Sequence, residues 1–137
     1  MDQYTRSRPP VRKLTGFRHF LAAAGYSLGG AKRAWQESAF RQEVGAGAGL
    51  AVAYGALGAS VGIWVAATIL FLMVLALEAL NTAVEELVDR VSPELSATGR
   101  HAKDLGSFAV FCAICANGLL FLYVIADRFF LFVPSIF

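Results

Sequence analysis

Charge is scarce in this chain: Asp, Glu, Lys and Arg make up 16% of its 137 residues, against 57% hydrophobic. Ordinary soluble domains carry about a quarter charged residues, so a bilayer is the natural solvent, and the length leaves room for one domain. Charge is wholly missing from Val44 to Leu77. Also absent are a glycine-rich phosphate loop of the Walker type, the protein-kinase signature set and a dinucleotide fingerprint; any nucleotide must be held by an unusual site. No apolar h-region follows the basic start, which argues against a signal peptide. The two cysteines, Cys112 and Cys115, lie inside the last apolar run. A structural zinc takes about four ligands and there is no second pair, so they read as buried packing residues.

What charge there is lies unevenly. Residues 1–43 hold eight of the twelve basic residues and three of the ten acidic ones, a net of +5, which leaves −3 for the remainder. A basic segment can serve nucleic acid or an anionic membrane surface, and the uncharged runs that follow favour the membrane and no nucleic acid. Residues 1–15, with Pro9-Pro10, read as a flexible basic tail ahead of one membrane-embedded domain, 16–137.

As one helix, the 34 uncharged residues from Val44 to Leu77 would reach about 51 Å, against a hydrocarbon core of about 30 Å. The run must turn back, and Gly58-Ala59-Ser60-Val61-Gly62 is its most breakable stretch. Membrane helices are therefore expected over about 39–57 and 62–91, the second stopped by Ser92-Pro93. A third is expected over about 101–126, its uncharged part from Ser107 to Ala126 being about one bilayer thick. Lys32, Arg33 and Arg41 precede the first helix, and Arg90, Arg100 and Lys103 flank the loop between the second and third. Those ends, with the N-terminus, are expected to be cytoplasmic. Before the first span, Phe17, Phe20, Leu21, Ala24, Leu28, Ala31 and Trp35 recur at helical spacing, which predicts an amphipathic surface helix over about 16–35. The fold class expected is thus an all-α membrane protein, three transmembrane helices preceded by that surface helix. The small residues Gly45, Ala46, Gly47, Ala48, Gly49, Ala51 and Ala53 predict close helix packing or self-association.

Glu78, Asn81, Glu85 and Asp89 stand at offsets 0, 3, 7 and 11, within a sector of about 80° on one helix face. Glu78 lies about 16 Å further along the axis than Asp89, at or below the headgroup level. An acid at that depth costs a few kcal/mol unless hydrated, paired or protonated, so a functional role is the default reading. Lys103 and Ser107, four apart, add a cation and a hydroxyl beside Asp104. Such a set can hold a divalent ion, position phosphates and offer a carboxylate as base. The same set would also suit the ion site of a cation channel or transporter, or a non-catalytic membrane protein.

Five strings resemble the small bacterial membrane kinases that phosphorylate diacylglycerol or undecaprenol: GF at 16–17, AAGYS at 23–27, AFRQE at 39–43, the segment from Glu78 to Arg90, and AKDLGS at 102–107. The resemblance implies transfer of the ATP γ-phosphoryl group to a lipid hydroxyl at the cytoplasmic face of the bacterial inner membrane. It also implies a homotrimer. Glu78 matches the general base beside the lipid substrate. Glu37 and Glu85 match the pair that holds Mg²⁺ with ATP. Tyr26, Asn81, Asp89, Glu94, Leu95, Ser96, Lys103 and Asp104 match ATP-binding positions. Ser107, His19 and the string Ala39, Phe40, Arg41, Gln42 and Glu43 match lipid-substrate positions, and that string favours diacylglycerol over undecaprenol. The chain departs from the pattern at His19, Leu28 and Gly29, where arginine, tryptophan and lysine are usual. It also lacks one residue between Trp35 and Glu37, and His101 shifts the Gly-Arg before AKD.

Overall fold

Small apolar side chains, few helix breakers inside the runs and a break between them dictate an α-helical chain. A computed structural model describes residues 16–92, 94 and 96–129, without the side chains of residues 17, 18, 19 and 21. Four helices and no strand occur among the described residues: α1 Phe17–Ala34, α2 Ser38–Ala56, α3 Val61–Val91 and α4 Ala97–Phe129. Residues 1–15, Leu95 and the side chain of His19, all singled out above, lie outside the described residues.

The chain divides into two units, the first ending at Lys32 and the second running from Arg33 onward. In the first unit, Phe20, Tyr26 and Leu28 of α1 are exposed. Gly16 opens that helix with a φ of 63°, a left-handed conformation suited to glycine.

In the second unit, α3 packs along α4 and, less extensively, against α2. The α2–α3 turn is built by backbone chemistry. The Gly58 N–H bonds the Gly55 carbonyl (3.1 Å) and the Ala59 N–H bonds the Tyr54 carbonyl (3.0 Å), which satisfies the last open carbonyls of α2. That geometry requires Gly58 at a φ of 68°. Ser60 then caps α3 by accepting from the Ile63 N–H. At the other end, Ser92 follows α3, and Ser96 starts α4 by accepting from the Gly99 N–H at 3.0 Å.

Two glycines set how closely the helices approach. A Cβ on Gly47 would overlap the Phe71 ring, so α2 meets α3 there by way of the missing side chain. A Cβ on Gly106 would overlap Asn81 Oδ1 and lie 3.7 Å from Asn81 Cα, which brings α4 against the backbone of α3. Deeper along the bundle, Tyr54 is 2% exposed and packs edge-on against Trp64 of α3 and Phe121 of α4.

α3 and α4 are each long and apolar enough to cross a membrane, and only 17% and 22% of their most apolar 18 residues are buried. A core helix of a soluble protein would bury most of them. Large apolar side chains instead face outward, among them Ile69, Leu72, Leu80, Phe108, Phe111 and Leu122. α2, at 19 residues, does not reach the same apolar level. Arg41, Gln42 and Glu43 occupy its first turns, and glycine and alanine fill much of the rest. The expectation that Cys112 and Cys115 are buried is not met: both are free and exposed on α4. Apolar character did not translate into burial there.

Candidate functional site

Three helix faces converge on one cleft of about 790 Å³. α2 contributes Ala39, Gln42, Glu43, Gly47 and Leu50; α3 contributes Phe71, Val74, Glu78, Asn81 and Glu85; α4 contributes Ser107, Val110, Ile114 and Asn117. The α3 and α4 sets step by three or four residues, as does the α2 set apart from the adjacent Gln42 and Glu43, which is the spacing of one helical stripe. Because α2 and α4 run opposite to α3, the polar ends of all three stripes coincide and grade together into an apolar end.

Four carboxylates line the polar end: Glu37, Glu43, Glu78 and Glu85. Glu78 is 6% exposed and Asn81 9%. Asn81 donates from Nδ2 to Glu85 Oε1 at 3.1 Å, which ties two members of the predicted stripe together. Its Oδ1 is buried with no hydrogen-bond partner among the described residues, as is Glu43 Oε2.

Glu37 sits at the start of α2 with its carboxylate held by Arg33, Nη1 to Oε1 at 2.6 Å. The other arm of the Arg33 guanidinium pairs with Glu86 of α3. The two carboxylates raise the Arg33 side chain above its ordinary value, the Glu37 hydrogen bond being the largest cause. Sequence reasoning used Arg33 only as a topology marker. Neither half of this bridge has a helical signature, because a helix break at residues 35–37 separates Arg33 from Glu37 and the partner on α3 is remote in sequence.

The AFRQE string divides. Ala39, Gln42 and Glu43 face the cleft. Phe40 instead packs edge-on against Trp35, centroids 6.4 Å apart, and Arg41 donates to the carbonyls of Trp35 (3.0 Å) and Gln36 (2.8 Å). Those two side chains organise the linker before α2.

Asp89 and Lys103 are brought together, at 2.5 Å, in a smaller recess of about 160 Å³. Glu94, Ser96 and Asp104 line it as well. Lys103 thus joins the outer end of the acidic stripe rather than Glu78. Ser107, one turn further along α4, lies in the large cleft. Tyr26 is exposed on α1, in the first unit. Asn117 was missed by sequence reasoning. It is buried, lines the apolar end of the cleft and donates to the Ala113 carbonyl at 3.0 Å. A lone amide inside the uncharged run of α4 was its signal.

A carboxylate-lined cleft with oxygen donors only suits a hard cation. Among the described residues no three Asp, Glu, His or Cys side chains form a cage by themselves. That donor set fits Mg²⁺, which is usually held by one or two carboxylates with phosphate oxygens and waters completing the shell.

The family model for prokaryotic diacylglycerol kinase matches residues 25–125. A diacylglycerol kinase from a Sinorhizobium species is 57% identical over 116 residues, 85% of each chain. The diacylglycerol kinase of Escherichia coli K12 is 39% identical over 104 residues, 73% of this chain and 83% of that one. The one from Haemophilus influenzae is 38% identical over 109 residues, 79% and 92% of the two chains. With a family model over most of its length and relatives at this identity, the chain belongs to the prokaryotic diacylglycerol kinase family.

Proposed function

We propose that this chain transfers the γ-phosphoryl group of ATP to the primary hydroxyl of diacylglycerol, yielding phosphatidic acid and ADP, in the cleft between α2, α3 and α4. The observation that carries the proposal is the burial of Glu78, 6% exposed, in a wall shared with Glu37, Glu43 and Glu85 and continuous with an apolar end. A diacylglycerol needs such a graded site, polar at its hydroxyl and apolar along its chains.

Glu78 acts as the base. It takes the proton of the lipid hydroxyl as that oxygen forms its bond to the γ-phosphorus, and the bond from phosphorus to the β,γ-bridging oxygen breaks as ADP leaves. Asn81 holds Glu85, and Glu37 and Glu85 are the residues that would hold Mg²⁺. Bound there, the metal supplies positive charge to the phosphate oxygens. Lys103 supplies a further cation, with Asp89, Glu94, Ser96 and Asp104 lining the outer recess for the nucleotide. Leu95 and Tyr26 are assigned to the nucleotide by the family resemblance alone, and His19 to the lipid on the same ground. Ser107, Ala39, Gln42 and Glu43, which line the cleft, serve the lipid headgroup. Phe40 and Arg41 serve indirectly, by fixing the linker.

The assembly is a homotrimer in the bacterial inner membrane, with three crossing helices and a cytoplasmic N-terminus. α2 contributes the third crossing: its 19 residues reach about 28 Å, close to the hydrocarbon thickness of about 30 Å. α1 lies along the membrane surface, its exposed Phe20 and Leu28 toward the lipid.

Purified protein in detergent micelles, given labelled ATP and diacylglycerol, is expected to form phosphatidic acid only with Mg²⁺ present. Product from undecaprenol but not from diacylglycerol would move the chain to the other substrate, and ion flux in liposomes without lipid product would overturn the kinase reading.

A further inference from the structure

Arg33 lies in the last turn of α1, outside the cleft, and its ion pairs join the linker carrying Glu37 to helix α3. Its guanidinium spans two carboxylates, Glu37 at 2.6 Å and Glu86 on the neighbouring helix. All three side chains are partly exposed, at 43%, 38% and 53%. Exposed ion pairs add little to folding stability, so a stabilising role does not account for the arrangement. Geometry does. Glu37 makes no side-chain cap bond at the α2 N-terminus, so among the described residues the Arg33 bridge is what fixes its rotamer. A guanidinium is planar and rigid, and by gripping Oε1 it leaves the second carboxylate oxygen for the cleft that Glu37 lines.

We infer that Arg33 and Glu86 form a bridge that positions Glu37 for the metal–nucleotide complex, Glu86 anchoring the guanidinium to α3 and the guanidinium orienting the Glu37 carboxylate. The inference rests on the reading of Glu37 as a metal–nucleotide ligand. Neither Arg33 nor Glu86 touches the substrate; both are positioning residues that act through Glu37. The grip is made across the turn at residues 35–37, where the chain passes from the last turn of α1, which carries Arg33, to Glu37 at the α2 N-terminus. A lysine at 33 has a single nitrogen and cannot hold both carboxylates in one plane.

The test uses the full chain in micelles, with Arg33→Met, Glu86→Gln, Glu37→Gln and the double variant of Arg33→Met with Glu37→Gln. Binding of Mn²⁺ with the non-transferring β,γ-methylene analogue of ATP is followed by the loss of the free Mn²⁺ resonance signal, and KM for Mg-ATP is measured alongside. Arg33→Met and Glu86→Gln are each expected to weaken Mn²⁺–analogue binding and raise KM about five-fold, with kcat within two-fold of wild type and Tm unchanged. On the Glu37→Gln background, Arg33→Met is expected to add nothing, because its effect passes through that carboxylate. Wild-type binding by Arg33→Met or Glu86→Gln, with Glu37→Gln impaired, overturns the bridge. Wild-type binding by Glu37→Gln overturns instead the reading of Glu37 as a ligand.

Discussion

Asn81 of α3 rests on the bare backbone of Gly106 on α4, with the ideal Cβ position of Gly106 3.7 Å from Asn81 Cα and overlapping Asn81 Oδ1. This contact joins the fold to the site, because the same amide donates to Glu85 Oε1 at 3.1 Å. A methyl group at 106 must displace the amide. Alanine gains about 1 kcal/mol of helix propensity over glycine, which offsets much of the overpacking cost of about 1–3 kcal/mol. Gly106→Ala is therefore expected to keep Tm within a few degrees while lowering kcat/KM about ten-fold, because Glu85 loses its partner. Thermal unfolding in detergent and lipid phosphorylation, read on the same preparation, check both halves.

Glu78 is the buried acid of the cleft, and the proposed base must accept a proton that glutamine cannot. Glu78→Gln keeps the shape and removes a charge that is costly at membrane depth, so the fold is expected to be as stable as wild type or more so. Turnover should fall by about 10²–10⁴-fold. A stopped enzyme with intact nucleotide binding is the expected pattern; near-normal turnover removes Glu78 from the chemistry.

Much of this geometry was legible because it is periodic. The stripe Glu78, Asn81 and Glu85 needs only the helical repeat to share a face, and the three do line one cleft. The helix break at Gly58 and Ser60 follows from a run too long for one bilayer crossing and from the residues able to turn it. What could not be read is which residues meet across helices. The Arg33 to Glu86 pair joins positions 53 apart in the chain. Lys103 shares a helix face with Ser107, which lines the large cleft, yet its side chain reaches outward to Asp89. Cys112 and Cys115 are apolar in pattern but exposed, because an apolar pattern does not say whether another helix covers that face. In α2, alternating glycine and alanine predicted close packing without saying that Gly47 alone would take an aromatic ring.

That ring gives a further test. A Cβ on Gly47 would overlap Phe71 across the α2–α3 contact, in the apolar half of the cleft. Gly47→Ala should lower stability by up to about 2 kcal/mol, the overpacking against the ring less the helix-propensity gain of alanine over glycine. Phe71→Leu alone leaves a smaller side chain over the glycine and costs about 1 kcal/mol or more. Combined, the two changes fit each other, so the double variant should be more stable than the sum of the single effects predicts. A thermodynamic cycle in detergent, using unfolding by a denaturing detergent, measures the coupling.

Lys103 and Asp89 test whether the outer recess serves the nucleotide. If their 2.5 Å pair only tied α3 to α4, removing either partner would leave one charge alone, and Lys103→Met and Asp89→Asn would have similar effects on KM for ATP. If Lys103 also offers charge to phosphate oxygens, the two variants part. Lys103→Met removes that charge and should raise KM for ATP about ten-fold or more, whereas Asp89→Asn keeps the lysine and removes the acid that competes for it. The raised KM of Lys103→Met should also lose most of its dependence on salt, since the screened attraction is gone. Titrations of ATP at low and moderate ionic strength, with diacylglycerol saturating, separate the two outcomes. Equal KM for the two variants assigns the pair a structural role and leaves ATP to be held by other groups.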